Sequence, residues 1–140
     1  MITSGLTNSF KQQLFLGQHD LSTDVLKIAL YTSAADLAPY TTVYSTTDEI
    51  SGTGYTAGGK TLLNVTVGVS QSLNVAYVSF DNPTWAASTF TTRGALIYNS
   101  SKSNKSIAAI NFGSDQTTLN QTFEIQLPTN NPETALIRSL

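Results

Sequence analysis

A chain of 140 residues, of which only 11% are charged, is long enough for one domain with an ordinary core and a polar, weakly charged surface. A net charge of −2 and a single short cluster of lysines, Lys102 and Lys105, exclude a broad basic face and predict no direct contact with nucleic acid. The absence of cysteine excludes disulfides, thiolate catalysis and Cys-ligated zinc.

The N-terminal segment is the only part of the chain with a helical period. Leu6 and Phe10 recur at helical spacing. Thr7 is placed to cap a helix and Gly17 to end it, which predicts one short helix over residues 8–16. The segment lacks the basic and apolar regions of a signal peptide, and no run approaches the ~18 apolar residues of a membrane span. We therefore expect no membrane partner.

After the helix the apolar residues change to a period of two. In VLKIALYT, Leu26, Ile28 and Leu30 share one face, which predicts a strand with a buried inner face. Residues 33–60 have no such alternation and are rich in Thr, Ser and Gly. They predict a long surface loop, or two loops around a short strand at Tyr44.

Later strand patterns come in pairs separated by turn residues. Residues 61–69 and 73–80 predict one hairpin, and Asn82-Pro83 predicts a turn after it. Residues 90–99 and 106–113, joined by a polar loop, predict a second hairpin.

The C-terminal segment alternates cleanly. Phe123, Ile125 and Leu127 are expected to point inward, and residues 134–140 to form a last short strand or arm. Many short strands with one helix predict a mainly β fold, an antiparallel β-sandwich or jelly roll with one short N-terminal helix. We expect a single domain over residues 1–140 with short arms at both ends.

The stretch from Gly54 to Thr61 matches the phosphate-loop pattern G-x-x-x-x-G-K-[ST] letter for letter. That pattern binds phosphate because a strand precedes the loop and a helix begins at its lysine. Here Lys60 is followed by TLLNVTVGV, whose valines and glycine favour a strand. We therefore interpret the glycines as loop residues that take φ > 0, and expect Tyr44 and Tyr55 to offer a rigid contact surface to a partner.

The segment around His19 invites comparison with a catalytic triad. His19, Asp20 and Ser22 are close in sequence on one turn, whereas a triad needs members that converge from separate elements. We interpret Asp20 and Asp24 as capping or loop hydrogen-bonding residues.

Asp48 and Glu49 are the only adjacent carboxylates in the chain. Neighbours on an extended segment point to opposite sides, so we expect this pair to be solvated rather than to act as a glycosidase pair. Weak calcium binding by residues 48–55 is the alternative. We predict no catalytic residue, no cofactor and no metal site, and hence a protein that is not an enzyme.

Three large side chains admit both a structural and a binding interpretation. We expect Arg93 to form a buried pair with Asp81 or Glu124, with an interface anchor as the alternative. Trp85 and Phe90 flank a small-residue turn and are expected to be core lids, with sugar stacking as the alternative.

Two motifs give the chain a resemblance to a family. D-x-x-K-x-A-L-Y runs from Asp24 to Tyr31, and E-x-x-G-x-G-Y-x-x-G-G runs from Glu49 to Gly59. With the flanking segments GQHDLSTDVLKIALYTSAADL, TFTTRGALIYN and SIAAINFG, the chain resembles the capsid cement, or decoration, proteins of tailed bacteriophages over residues 10–113. The resemblance implies a jelly-roll-like virion protein that is made in the host cytoplasm and lies on the capsid exterior, and it carries no catalytic residues.

The function that the resemblance implies is stabilisation of the icosahedral shell by bridging subunits of the major capsid protein, as a homodimer or homotrimer. The alternative is a receptor- or carbohydrate-binding module of a tail or head fibre. The residues expected to contact a partner lie in the long loop and in the two terminal segments: Tyr40, Tyr44, Tyr55, Leu6, Phe10 and Arg138.

Overall fold

The computed structural model describes residues 1–139, which form a mainly β structure. Its one α-helix is α1 (Asn8–Phe15). The strands of the described chain are β1 (Gly5–Leu6), β2 (Leu26–Tyr31), β3 (Lys60–Thr61), β4 (Thr66–Ser70), β5 (Val75–Ser79), β6 (Thr84–Asn99), β7 (Lys105–Glu124) and β8 (Ile137–Arg138). No helix within the described residues is long and apolar enough to cross a membrane.

The strands form two antiparallel sheets. The larger has the order β1-β7-β6-β2-β3, and the smaller has the order β4-β5-β8. The main core joins both sheets, since Ile28 and Ile97 of the larger pack in one cluster with Val78 and Ile137 of the smaller. The predicted β-sandwich with one short N-terminal helix is therefore confirmed.

The helix begins where the sequence predicts. Thr7 is the N-cap, and its Oγ1 accepts a hydrogen bond from the Phe10 N–H at 3.4 Å. The Phe10 ring is fully buried and anchors the helix to the core. Gly17 follows the helix with a φ of +68°, a left-handed conformation that favours glycine after a helix end.

The hairpin of β6 and β7 is much longer than the sequence predicts. Its pairing extends from Asn99 with Lys105 to Thr84 with Glu124 and contains several register shifts. The C-terminal pattern predicted as a separate strand is thus partly the end of β7. Its alternation is confirmed, since Ile125 is buried while Phe123 and Leu127 pack partly buried against the core.

The strand predicted over residues 61–69 is wrong as one element, because the chain turns in its middle. Asn64 has a φ of +56°, which breaks the extended backbone. Before it, β3 pairs with β2 of the larger sheet. After it, β4 pairs with β5, so the predicted hairpin is confirmed for β4 and β5. The predicted last strand is confirmed as β8, which pairs with β5.

The long loop predicted for residues 33–60 is confirmed for residues 32–59. It makes isolated bridges to the larger sheet, and the bridge near its middle is made by Val43 with Lys105 rather than by a strand at Tyr44. The loop therefore lies against the larger sheet.

Candidate functional site

The loop from Glu49 to Gly59, here called the glycine loop, is folded around one carboxylate. Glu49 is half-buried and accepts hydrogen bonds from the Tyr55 hydroxyl at 2.5 Å, the Tyr44 hydroxyl at 2.7 Å and the Gly58 N–H at 2.7 Å. The predicted solvated pair is therefore wrong for Glu49, because the loop folds back and supplies it with donors. Asp48 is exposed.

Tyr98, a buried residue of β6, also holds the glycine loop. The Tyr98 hydroxyl donates to the Gly58 carbonyl at 2.6 Å, and the Tyr44 ring stacks on the Tyr98 ring with centroids 4.5 Å apart. Burial raises the pKa of Tyr98 to about 12. Burial, followed by the hydrogen bond donated to Glu49, also raises the pKa of Tyr55 and of Tyr44. These hydroxyls therefore remain neutral donors at ordinary pH.

The last glycine of the loop is required by close packing. Gly59 has a φ of +79°, and a Cβ there would lie 1.9 Å from the carbonyl oxygen of Ile28. The next residues, Lys60 and Thr61, are the strand β3, so the helix that a phosphate loop needs is replaced by a strand. The Lys60 ammonium donates to the Thr84 carbonyl and lies 5.7 Å from the centre of the Trp85 ring. The glycine loop is thus an internal brace.

The calcium alternative for residues 48–55 finds little support in this geometry. Both carboxylate oxygens of Glu49 already accept hydrogen bonds from neutral donors. Within residues 1–139, no three His, Asp or Glu side chains come together in a way that could hold a metal ion.

His19 lies in a network of amides. Its Nε2 is 2.8 Å from Gln13 Oε1, and its Nδ1 is 2.9 Å from Asn99 Nδ2, which also donates to Asp24 at 2.7 Å. Burial lowers the pKa of His19, and a neutral ring donating through Nε2 satisfies both partners. The Ser22 hydroxyl instead donates to Asp20 at 2.5 Å, so Ser22 is not aligned with this histidine. The loop hydrogen-bonding predicted for Asp20 and Asp24 is confirmed.

The prediction for Arg93 is wrong in its partner and its burial. Arg93 pairs with Asp115 at 2.8 Å, and both side chains are partly exposed. Beside Arg93 the register shifts, since Thr92 pairs with Gln116 but Gly94 pairs with Asn111, and Asp115 lies in the intervening stretch of β7. Glu124 pairs with Thr84 at the far end of the hairpin and is out of reach. Trp85 and Phe90 are 3% and 6% exposed, so the core interpretation is confirmed and neither ring offers a face to a sugar.

An apolar groove of about 640 Å³ lies between α1 and the smaller sheet and is here called the terminal groove. Its walls are apolar side chains from both elements and from the segment before the helix: Leu6, Phe10, Leu14, Phe15, Val67, Val78 and Ile137. Its two charged lining residues, Lys11 and Arg138, are both cationic. Phe15 is 92% exposed at the helix end.

Three residues predicted to contact a partner line this groove. Leu6 and Arg138 are half-buried in its walls. The prediction of a partner contact needs correction for Phe10, because its side chain is fully buried beneath the groove. Tyr40 lies elsewhere and is exposed, with its hydroxyl bonded to Asp36.

For Tyr44 and Tyr55 the prediction of a contact surface needs correction, because their hydroxyls turn inward to Glu49. Helical spacing does not predict Phe15 as a contact residue, because Phe15 lies outside the apolar stripe of the helix.

Comparison of the chain with protein-family models, with curated proteins and with solved structures gave no match. The resemblance to phage decoration proteins therefore rests on the sequence motifs alone. What the structure adds is the role of one motif, the glycine loop, as a brace, and the presence of an apolar groove that the motifs do not contain.

Proposed function

We propose that this protein is a bacteriophage virion protein that decorates the capsid exterior and stabilises it by bridging subunits of the major capsid protein. The observation that carries the proposal is the terminal groove. Segments from both ends of the chain meet there, and two residues predicted to contact a partner, Leu6 and Arg138, line its walls. Together with the motif resemblance, a binding surface of this kind favours an assembly role over catalysis.

The chemistry of the groove defines the segment that it would bind. Its walls are almost entirely apolar, and exposed apolar patches on a folded domain mark interaction sites. Phe15 and Leu16, 92% and 62% exposed, extend the patch beyond the groove. Since Lys11 and Arg138 are the charges at its walls, the complementary capsid segment carries apolar side chains flanked by acidic ones.

To reinforce the shell, each oligomer of the protein must contact more than one capsid subunit. A homodimer or homotrimer placed on a symmetry axis presents the same groove several times. Linked modest contacts then hold more strongly than any one of them, because each later contact forms at a high effective concentration.

The test is co-sedimentation of the purified protein with capsids that lack it, before and after expansion, with bound copies counted per capsid subunit. We expect saturable binding at a fixed ratio. Phe15→Ser should reduce the affinity at least tenfold, because it removes an exposed aromatic anchor. The control Leu119→Ser changes an equally apolar side chain that is 74% exposed and lies outside the groove, and it should bind as the wild type does.

A second pair of variants tests the charge of the groove. Lys11→Glu and Arg138→Glu should each weaken capsid binding, most strongly at low salt, because they place a negative charge beside an acidic segment. Failure of the wild type to bind either capsid form would overturn the proposal. Binding that is indifferent to all three groove variants would keep a capsid role and remove the groove from it.

The alternative fibre module loses its principal support. It is expected to use Trp85 and the tyrosines as stacking platforms. Trp85 is 3% exposed and the hydroxyls of Tyr44 and Tyr55 turn inward to Glu49, which leaves the exposed Tyr40.

A further inference from the structure

Strand β4, at the edge of the smaller sheet, has one side without a backbone partner. It pairs with β5 from Thr66 opposite Ser79 to Ser70 opposite Val75, and within residues 1–139 no other strand joins it. The strand is TVGVS, which has no charge, no proline and no residue with positive φ. An unpaired strand edge is a template for pairing with another chain unless charges, proline or local backbone distortion block it.

The other long strand edge, that of β7, carries charges and local distortion. Within residues 1–139, β7 pairs along its length with β6, briefly with β1, and with the long loop through a bridge of Lys105 to Val43. It carries Asp115 and Glu124, and it is distorted where Gly113 and Asn120 take φ values of +84° and +49°. Charges and local distortion are the usual protections of an edge. The contrast shows that β4 lacks what the same chain provides elsewhere.

The sequence of β4 identifies the partner that it fits. TVGVS reads almost the same in both directions about Gly68, with valines at 67 and 69 and hydroxyl residues at 66 and 70. In an antiparallel pair of two such strands centred on Gly68, Val67 lies opposite Val69 of the second copy. Thr66 then lies opposite Ser70 of the second copy. Such cross-strand pairs of valines and of hydroxyl residues are favourable.

The side chains of β4 suit this pairing. Val67 is opposite the core residue Val78, so Val67 and Val69 lie on the inner face of the sheet, yet they are 53% and 63% exposed. On the opposite face, the Tyr77 ring covers Gly68, where a Cβ would lie 2.9 Å from its Cζ. The ring shields the glycine of the edge strand, while the valines remain available.

We propose that two copies of this chain associate through β4, paired antiparallel about a two-fold axis at Gly68. The smaller sheets of both copies become one continuous sheet, and the valines of each copy bury those of the other. Because Val67 also lines the terminal groove, the two grooves are brought to either side of the axis. The pairing is a property of the chain alone and does not depend on capsid binding.

Sedimentation equilibrium of the purified chain provides the first test. We expect a reversible dimer, and we expect Val69→Lys to raise its dissociation constant at least tenfold, because each lysine places a charge opposite Val67 of the second copy. The control Leu119→Lys, on the protected edge, should dimerise as the wild type does. A wild type that stays monomeric at all concentrations, or a Val69→Lys protein that dimerises normally, overturns the proposal.

Disulfide trapping tests the register and does not depend on how a charged variant folds. The chain has no cysteine, so oxidation reports only introduced thiols. Directly opposite residues have Cα atoms ~4.5 to ~5.5 Å apart, which suits a disulfide, whereas diagonal neighbours are ~7 to ~8 Å apart.

A mixture of Val67→Cys and Val69→Cys proteins should therefore cross-link faster than either variant alone, and Leu119→Cys should not cross-link at comparable concentration. Absence of cross-links in the mixture, or equal rates for Val67→Cys alone, overturns the proposed pairing.

Discussion

The glycine loop and the terminal groove are opposite extremes of the same small molecule. In the loop, the polar groups find partners within the chain, since Glu49 accepts from Tyr44, Tyr55 and Gly58. In the groove, apolar side chains at the rim are exposed: Val67 is 53% exposed and Phe15 is 92% exposed.

The difference teaches which of two signals to follow when a function is sought in a sequence. The loop matches a well-known binding pattern, yet its glycines and tyrosines serve internal packing. The groove follows no motif, yet it has the surface chemistry that binding requires. If this contrast is right, substitutions in the loop should cost stability, and substitutions at the groove rim should cost binding instead.

The largest expected effect is that of Gly59→Ala. The new Cβ would meet the Ile28 carbonyl oxygen at 1.9 Å in a left-handed backbone, so we expect a loss of at least about 3 kcal/mol in the free energy of unfolding. Gly17→Ala is the control, since Gly17 has a similar φ with no atom within 4 Å of the added Cβ. It should lose about 1 kcal/mol. Urea denaturation measures both, and equal losses would mean that packing around Gly59 is irrelevant.

Glu49→Gln should have the next largest effect. The amide keeps the shape but replaces a charged acceptor, so hydrogen bonds from Tyr44 and Tyr55 are weakened or lost, and we expect a loss of about 2 kcal/mol. Asp48→Asn, at the exposed neighbouring position, should change stability by less than about 0.5 kcal/mol. Denaturant midpoints of the two variants, each compared with that of the wild type, measure both losses of stability. A Glu49→Gln protein as stable as Asp48→Asn would show that the carboxylate is no brace.

We expect a smaller effect, a loss of stability above pH 10, from Tyr55 and Tyr98. The pKa of Tyr55 is raised in the folded state above the ordinary 10.0, and that of Tyr98 is raised to about 12. Their contribution to stability is therefore complete below pH 10 and declines as pH rises above it, because the unfolded tyrosines lose their protons first.

Denaturant midpoints measured from pH 8 upward should fall beyond pH 10, and the fall should be shallower for Tyr55→Phe. A midpoint that does not change over this range, or an identical decline in Tyr55→Phe, would contradict the buried state of these hydroxyls.

The smallest expected effect on stability is that of Phe15→Ser. Because the side chain is 92% exposed, the free energy of unfolding should change by less than about 0.5 kcal/mol. Thermal denaturation of this variant beside the wild type measures it. A loss comparable to that of Glu49→Gln would mean that Phe15 packs within the fold, and the contrast between groove and loop would then fail.

The sequence predicts well those features that depend on near neighbours. The Thr7 cap, the strand from Leu26 and the alternation through Ile125 follow from local spacing, and the structure confirms each. The core positions of Trp85 and Phe90 follow from their size and apolar character.

Features that depend on distant partners could not be predicted. Most of the outer half of β7 is polar and shows no apolar alternation, so its pairing with β6 leaves little trace in the sequence. Glu49 looks like a solvated carboxylate until Tyr44 and Tyr55 are placed beside it. The ion pair of Arg93 with Asp115 depends on a register shift, which spacing along the chain does not encode.

The long hairpin of β6 and β7 also bears on the order in which the molecule folds. Its strands are joined only by residues 100–104, and hairpins of this kind form within ~1 to ~10 μs, whereas β1 must bring Leu6 to Ala108 across most of the chain. Contacts between distant segments form late, because a large loop must close first. We therefore expect the N-terminal helix to dock after both hairpins exist, so that the terminal groove gains its second wall late in folding.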